Sequence, residues 1–172
     1  VDLAAVLGDE FRATTLAQVA DLPVEEVDAR LQEAVRASVL STQLVSPGED
    51  YRFYHTILRR VVYDRLAPRL RRDLHLRAAR ALEVAYADQP DRVASAISAH
   101  YEAGDNPHAT LTWSLHAWRA ARARWRWPDA VVGIERAERS AAMLGQRGAT
   151  LTPEESVSLR FGIGERHALR GD

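Results

Sequence analysis

The chain has 172 residues, 47% hydrophobic and 27% charged, with a formal net charge of −1, enough for one good core or two small ones. It contains no Cys and no Lys, which excludes disulfides, thiol nucleophiles and thiolate metal sites, a Schiff-base lysine, and the loop G-x-x-x-x-G-K-[ST] whose Lys reaches the phosphates of a nucleotide. No apolar run approaches the roughly 18 residues of a membrane span, and no secretory signal opens the sequence, so a cytoplasmic setting is expected.

Leu3 to Leu7 reads as a short apolar helix closed by Gly8, a usual residue just past a helix end. Thr15-x-x-Gln18 fits a capping box ahead of Val19. Pro23 suits a first helical position, with Glu25 and Glu26 in the first turn where the helix dipole favours anions. Val24, Val27, Leu31, Val35 and Val39 then recur at helical spacing and predict a third helix with one buried stripe. From Leu40 to Tyr54 the period changes. Leu40, Thr42 and Leu44 alternate, Ser46–Asp50 makes a turn, and Tyr51 and Phe53 alternate again, which predicts a β-hairpin. Three short helices followed by a hairpin is the order of a winged helix.

Beyond the hairpin the helical period returns. Ile57, Leu58, Val61, Val62 and Leu66 form a stripe broken at Pro68, and a second helix runs on to about Tyr86 with Leu70, Leu74, Ala78 and Ala81 inward. Further helices are predicted over Arg92–Ala103, Pro107–Arg126, Pro128–Leu144 and Pro153–Leu169, with Gly, Asn and Pro marking the turns. Ala109, Trp113, Ala117 and Ala120 are echoed by Ala130, Ile134, Ala137 and Ala141. Small residues at this spacing let helices approach closely, as stacked helical hairpins require. The fold expected is therefore mainly α: a winged helix over residues 1–66, then over 67–172 a helical linker and antiparallel hairpins of tetratricopeptide-like type, the start of a longer array. The opening Val and closing Arg-Gly-Asp read as the ends of a piece cut from a longer polypeptide.

Four blocks in order, LAAVLGDEF, YRFYHTILRRVVYDRL, RRDLHLRAARALE and SAHYEAGDNPHATLTWSLHAWRAA, resemble one family. It is the segment that follows the nucleotide-binding domain in large bacterial signal-transduction ATPases, among them the large ATP-binding LuxR-type transcriptional regulators and related cyclase-linked ATPases. The likeness covers about residues 3–145. It implies that ATP or ADP is bound by an upstream P-loop domain, that the winged helix packs against that domain, that the helical repeats sense an effector protein or small molecule, and that DNA is bound through a separate output domain. Two departures stand out. Tyr54 occupies the position just before the His where the family commonly has Arg or a related residue, and the helices after Trp127 match repeats only loosely.

In such proteins a His at the corner of the winged helix approaches the phosphates of ADP, so the resemblance implies nucleotide sensing by His55 in the intact protein. The alternative is a helix-entry His satisfied by backbone groups. Charge is unevenly spread: residues 1–50 carry three Arg against ten acids, and residues 51–80 carry nine Arg against Asp64 and Asp73. Arg59 and Arg60 lie one turn after His55. Arg69, Arg72 and Arg80 fall within about 80° on a helical wheel, with Leu76 among them. These five are candidate anion or domain-interface residues, or simply solvated. Trp113, Trp118, Trp125 and Trp127 are interleaved with Arg and mark a candidate effector surface, although Leu111, Leu115, Trp118 and Trp125 also fit one inward stripe. The third helix shows Glu25, Glu26, Asp28 and Glu33 against Arg30 and Arg36, a poor surface to set beside phosphates. Direct DNA binding by the winged helix, with the helical tail oligomerising, is the second reading. No His spacing suits zinc and no Ser has a nucleophile's setting. Neither a catalytic nor a metal site is expected, and no cofactor is expected in this chain.

Overall fold

The computed structural model describes residues 1–43, 45 and 50–171. The chain is mainly helical, with nine α-helices and one small sheet among the described residues. It divides into two compact units, Val1–Ala85 and Tyr86–Asp172. The boundary expected after residue 66 falls inside the first unit.

The first unit begins with α1 (Asp2–Leu7), β1 (Glu10–Phe11), α2 (Ala13–Ala20) and α3 (Val24–Arg36). Strands β2 (Leu40–Ser41) and β3 (Tyr51–Phe53) follow, then α4 (Thr56–Arg65) and α5 (Pro68–Ala85). The strands form an antiparallel sheet in the order β1-β3-β2, with Phe11 opposite Tyr51 and Leu40 opposite Phe53. β1 was not legible as a strand. It enters because Gly8, at φ 145 and ψ −169, holds a conformation open essentially to glycine alone and swings the chain from α1 onto β3. Leu44 and the turn residues 46–49 lie outside the described residues.

Phe11, Leu40, Tyr51 and Phe53 share the buried face of the sheet and meet Leu16 of α2 and Val27, Leu31 and Ala34 of α3. The Tyr51 hydroxyl donates to the Asp28 carboxylate and accepts from Gln32 Nε2 at 2.8 Å, tying sheet to third helix. Burial pushes its pKa up to about 12, with the Asp28 hydrogen bond and charge adding to the rise. The capping box expected at Thr15 does not form: α2 starts two residues earlier, at Ala13, and Thr15 is buried inside it. The cap comes instead from Asp50, whose Oδ2 accepts from Ala13 N at 3.0 Å. A second cluster joins Val6 and Val19 to Leu66, Leu74, Ala78 and Ala81, so α5 belongs with α1 and α2.

In the second unit a short 3-10 turn, Pro90–Arg92, precedes α6 (Ala94–Ala103), α7 (Pro107–Ala123), α8 (Trp127–Gln146) and α9 (Pro153–Arg170). Asn106 caps α7 and a Thr152–Glu155 capping box starts α9, each with Pro at the next residue. Short turns join helices that pack on one another, α6 on α7, α7 on α8 and α8 on α9. Leu111, Leu115, Trp118, Ile134, Ala137 and Leu144 make the core. Close approach depends on two glycines. A Cβ at Gly133 would lie 2.9 Å from the Trp118 backbone nitrogen, and one at Gly162 would lie 2.4 Å from Ile134 Cδ1. Interhelical ion pairs edge this core: Glu102 of α6 meets Arg136 at 2.8 Å and Arg139 at 2.9 Å, and Arg122 of α7 meets Glu165 of α9 at 2.6 Å.

Candidate functional site

α4 is a helix of ten residues with none buried. It starts where the sheet ends: Tyr54 N donates to Val39 O at 3.0 Å, and His55 stands at the N-cap in extended conformation. One side of α4, carrying Leu58, Val62 and Tyr63, leans on the core of the first unit. The other side, expected to be buried with it, faces out. Ile57 is 72% exposed and Val61 45%, beside Tyr54 at 57%. An open groove of about 530 Å³ is lined by Thr56, Ile57, Arg59, Arg60, Tyr63 and Asp64. Leu70 of α5, also expected inward, is likewise exposed.

His55 is exposed, makes no side-chain capping bond, and packs edge-on against the Tyr54 ring with centroids 4.9 Å apart. Its imidazole is therefore not held as a structural cap. Arg60 is exposed and lies 3.6 Å from Asp64. Arg59 is turned inward: its Nε donates to Ala5 O at 2.9 Å, Nη1 is 3.8 Å from Asp9, and its guanidinium lies over the Tyr63 ring. Arg69, Arg72 and Arg80 are exposed along α5.

Two arginines that the sequence did not single out act like Arg59. Arg71 donates to Leu66 O at 3.2 Å at the end of α4, and Arg77 donates to Val19 O at 2.6 Å near the end of α2. The last carbonyls of a helix lack intrahelical donors and carry its negative dipole end, so a guanidinium there satisfies both. Part of the basic excess over residues 51–80 thus caps helices inside the first unit. Between these cations sits His75, 7% exposed, with Nε2 2.8 Å from the Tyr63 hydroxyl. Burial lowers its pKa to about 4, and the charges of Arg59 and Arg71 push the same way. It is neutral at neutral pH and links α4 to α5.

The four tryptophans are not one surface. Trp118 is buried in the α7–α8–α9 core, 5% exposed, against Phe161, so it offers no face to an effector. Trp113 is half-buried over His116. Trp125, expected on the inward stripe, is 77% exposed, because α7 ends at Ala123 and Trp125 adopts φ 58 in the turn. Its ring meets Trp127 edge-on, with centroids 5.8 Å apart. Beside that turn is a cavity of about 200 Å³ lined by Asp91, Arg92, Arg124, Arg126 and Asp129 together with Ala117, Ala120 and Ala121. Nothing in the sequence pattern brought these residues together, since Asp91 lies far before the α7–α8 turn.

Among the described residues there is no cluster of three metal-ligating side chains and no helix long and apolar enough to cross a membrane. Compared with family models, with curated proteins and with solved structures, the chain matches none.

Proposed function

We propose that this chain is the regulatory segment of a multidomain signal-transduction ATPase, a cytoplasmic transcriptional regulator, and that it couples the nucleotide state of an upstream P-loop domain and the binding of an effector to an output domain. The observation that carries this is α4. A helix whose apolar side chains extend beyond the face its own unit covers is suited to lie between two packed bodies, and the first unit covers only the Leu58, Val62 and Tyr63 side. Ile57, Val61 and Tyr54 remain open, and a partner covering them gains about 1.5–3 kcal/mol for each large aliphatic fully buried. His55 stands beside Tyr54 with no capping bond; in this reading it meets a phosphate across the interface, a contact that suits an imidazole.

Other features support the same reading. Three helices with a small sheet, in the order α1-β1-α2-α3-β2-β3, fit a winged helix. Four helices joined by short turns and brought together at glycine and alanine fit tetratricopeptide-like hairpins. In this reading the chain carries no reaction of its own and DNA is bound by the output domain.

The test uses the full-length protein. Ile57→Asp and His55→Ala should each weaken ADP by at least about tenfold, one lost charge-assisted hydrogen bond or buried anchor, and raise basal output, while circular dichroism stays unchanged. Unaltered ADP affinity in both variants, or a full-length polypeptide without a P-loop, would sink the proposal. Direct DNA binding is disfavoured by the exposed face of α3, where Glu25, Glu26 and Glu33 outnumber Arg30 and Arg36. Salt-sensitive retardation of duplex DNA by this chain, lost in Arg72→Ala, would reinstate it.

A further inference from the structure

From the cavity beside the α7–α8 turn we infer a binding site for a small oxyanion, carried by a carboxylated or phosphorylated metabolite. This deepens the effector-binding half of the proposed function and rests on it. Its residues are distinct from those of the α4 face, so one can fail while the other stands.

Three arginines line this cavity: Arg92 from the 3-10 turn, Arg124 at the end of α7, whose Nη1 also donates to Ala120 O at 3.2 Å, and Arg126 before α8. Two are held in place by carboxylates. Asp91 Oδ2 is 3.1 Å from Arg124 Nη2, and Asp129 Oδ2 is 2.6 Å from Arg126 Nε. Asp91 is further occupied by His116, whose Nε2 is 2.7 Å from its Oδ1. That hydrogen bond, and then Arg124, hold its carboxyl below the usual range. The acids thus fix the arginines without exhausting their donors, since a guanidinium has five N–H groups. Arg92 donates to an uncharged partner, Gln89 Oε1, at 3.1 Å. An incoming carboxylate or phosphate finds planar forks suited to bidentate contact, with Ser95 also on the lining.

The backbone explains how Arg124 and Arg126 come to line one cavity. Trp125 is held at φ 58, a region unfavourable for a bulky residue and kept only where surrounding structure enforces it. That reversal places Arg124 and Arg126, the residues on either side, on one cavity, while Trp125 is not part of its lining. A straight continuation of α7 would send the two side chains to different faces. The floor of alanines leaves about 200 Å³, below the roughly 300 Å³ of a drug-sized pocket, so the ligand is a small metabolite and not a peptide or nucleotide.

Titration calorimetry and thermal melts of this chain at low salt, with succinate and inorganic phosphate as separate probes, test the inference. Saturable one-to-one binding of at least one probe is expected, with a Tm that climbs with its concentration. The stronger probe tells whether carboxylate or phosphate is the natural head group. Arg92→Ala should weaken it by about tenfold or more, and Ala121→Leu, which keeps every charge but fills the floor, should abolish it. Arg147→Ala, which breaks the pair with Asp105, should leave binding intact. Binding of neither probe, or binding by Arg92→Ala and Ala121→Leu as tight as wild type, overturns the site.

Discussion

Replacing His75 by Gln keeps a hydrogen-bond partner for the Tyr63 hydroxyl but removes a buried imidazole whose titration opposes folding in acid. In the folded chain His75 takes up a proton only near pH 4, whereas in the unfolded chain it does so near pH 6.5. Between these values the unfolded state holds more protons, so stability is complete above about pH 6.5 and falls as the pH drops toward 4. A separation of about 2.5 units corresponds to about 3 kcal/mol at full value. Solvent screening at the edge of the site reduces this, and a loss of about 2 kcal/mol is expected. Urea denaturation followed by circular dichroism at pH 7, 6, 5 and 4 measures it, with wild type and His75→Gln compared at each pH. Carboxylates titrate alike in both proteins, so their contribution cancels in the difference. Wild type should lose about 2 kcal/mol more than the variant across the window. Because all four Trp lie in the second unit, the extra loss should appear in the dichroism before it appears in Trp fluorescence. Parallel stability curves for the two proteins would refute the placement of a neutral His75 between Arg59 and Arg71.

Two further perturbations test the packing directly. Gly133→Ala places its methyl 2.9 Å from backbone of α7, which cannot rotate away, and should cost about 1–3 kcal/mol in thermal or urea unfolding. Gly162→Ala meets side chains only, Ile134 at 2.4 Å from Cδ1 and 2.8 Å from Cγ1 and the Trp118 ring at 3.1 Å from Cε2; these can shift where backbone cannot, and with a gain in helix propensity of about 1 kcal/mol it should cost less than Gly133→Ala, whereas the reverse order would refute the packing of α8 between α7 and α9. Asp50→Ala removes the long-range cap on Ala13 and should lower stability by about 1 kcal/mol, whereas Asp50→Asn, which retains an acceptor oxygen, should recover most of it.

What sequence alone could and could not disclose follows from the range over which each feature is determined. The helices of the second unit were legible because their signals are local: Pro and Asn at the starts, Gly near the ends, and a 3.6-residue period between. The mainly helical class followed from the same signals. Features set by distant partners were not legible. A two-residue β1 has no period to detect, and the cap of α2 comes from Asp50, 37 positions away. Arg59, Arg71 and Arg77 looked like a basic surface because nothing local reveals that helix ends lie beneath them. The pairing of His75 with Tyr63 spans α4 and α5, and Arg124 and Arg126 line one cavity across a turn in which Trp125 takes up a positive φ. The failure at α4 has a different origin. Ile57 and Val61 alternate with Leu58 and Val62, so the pattern contains two apolar rows, and treating them as one stripe placed Ile57 in the core. Periodicity assigns a single inside only to a helix with a single partner. A helix whose outer row stays apolar with Ile57 at 72% exposure is hard to read for the same reason that the proposed function has it dock: in that proposal half of its environment belongs to another body, and the residues that misled the pattern are the ones whose substitution should uncouple it.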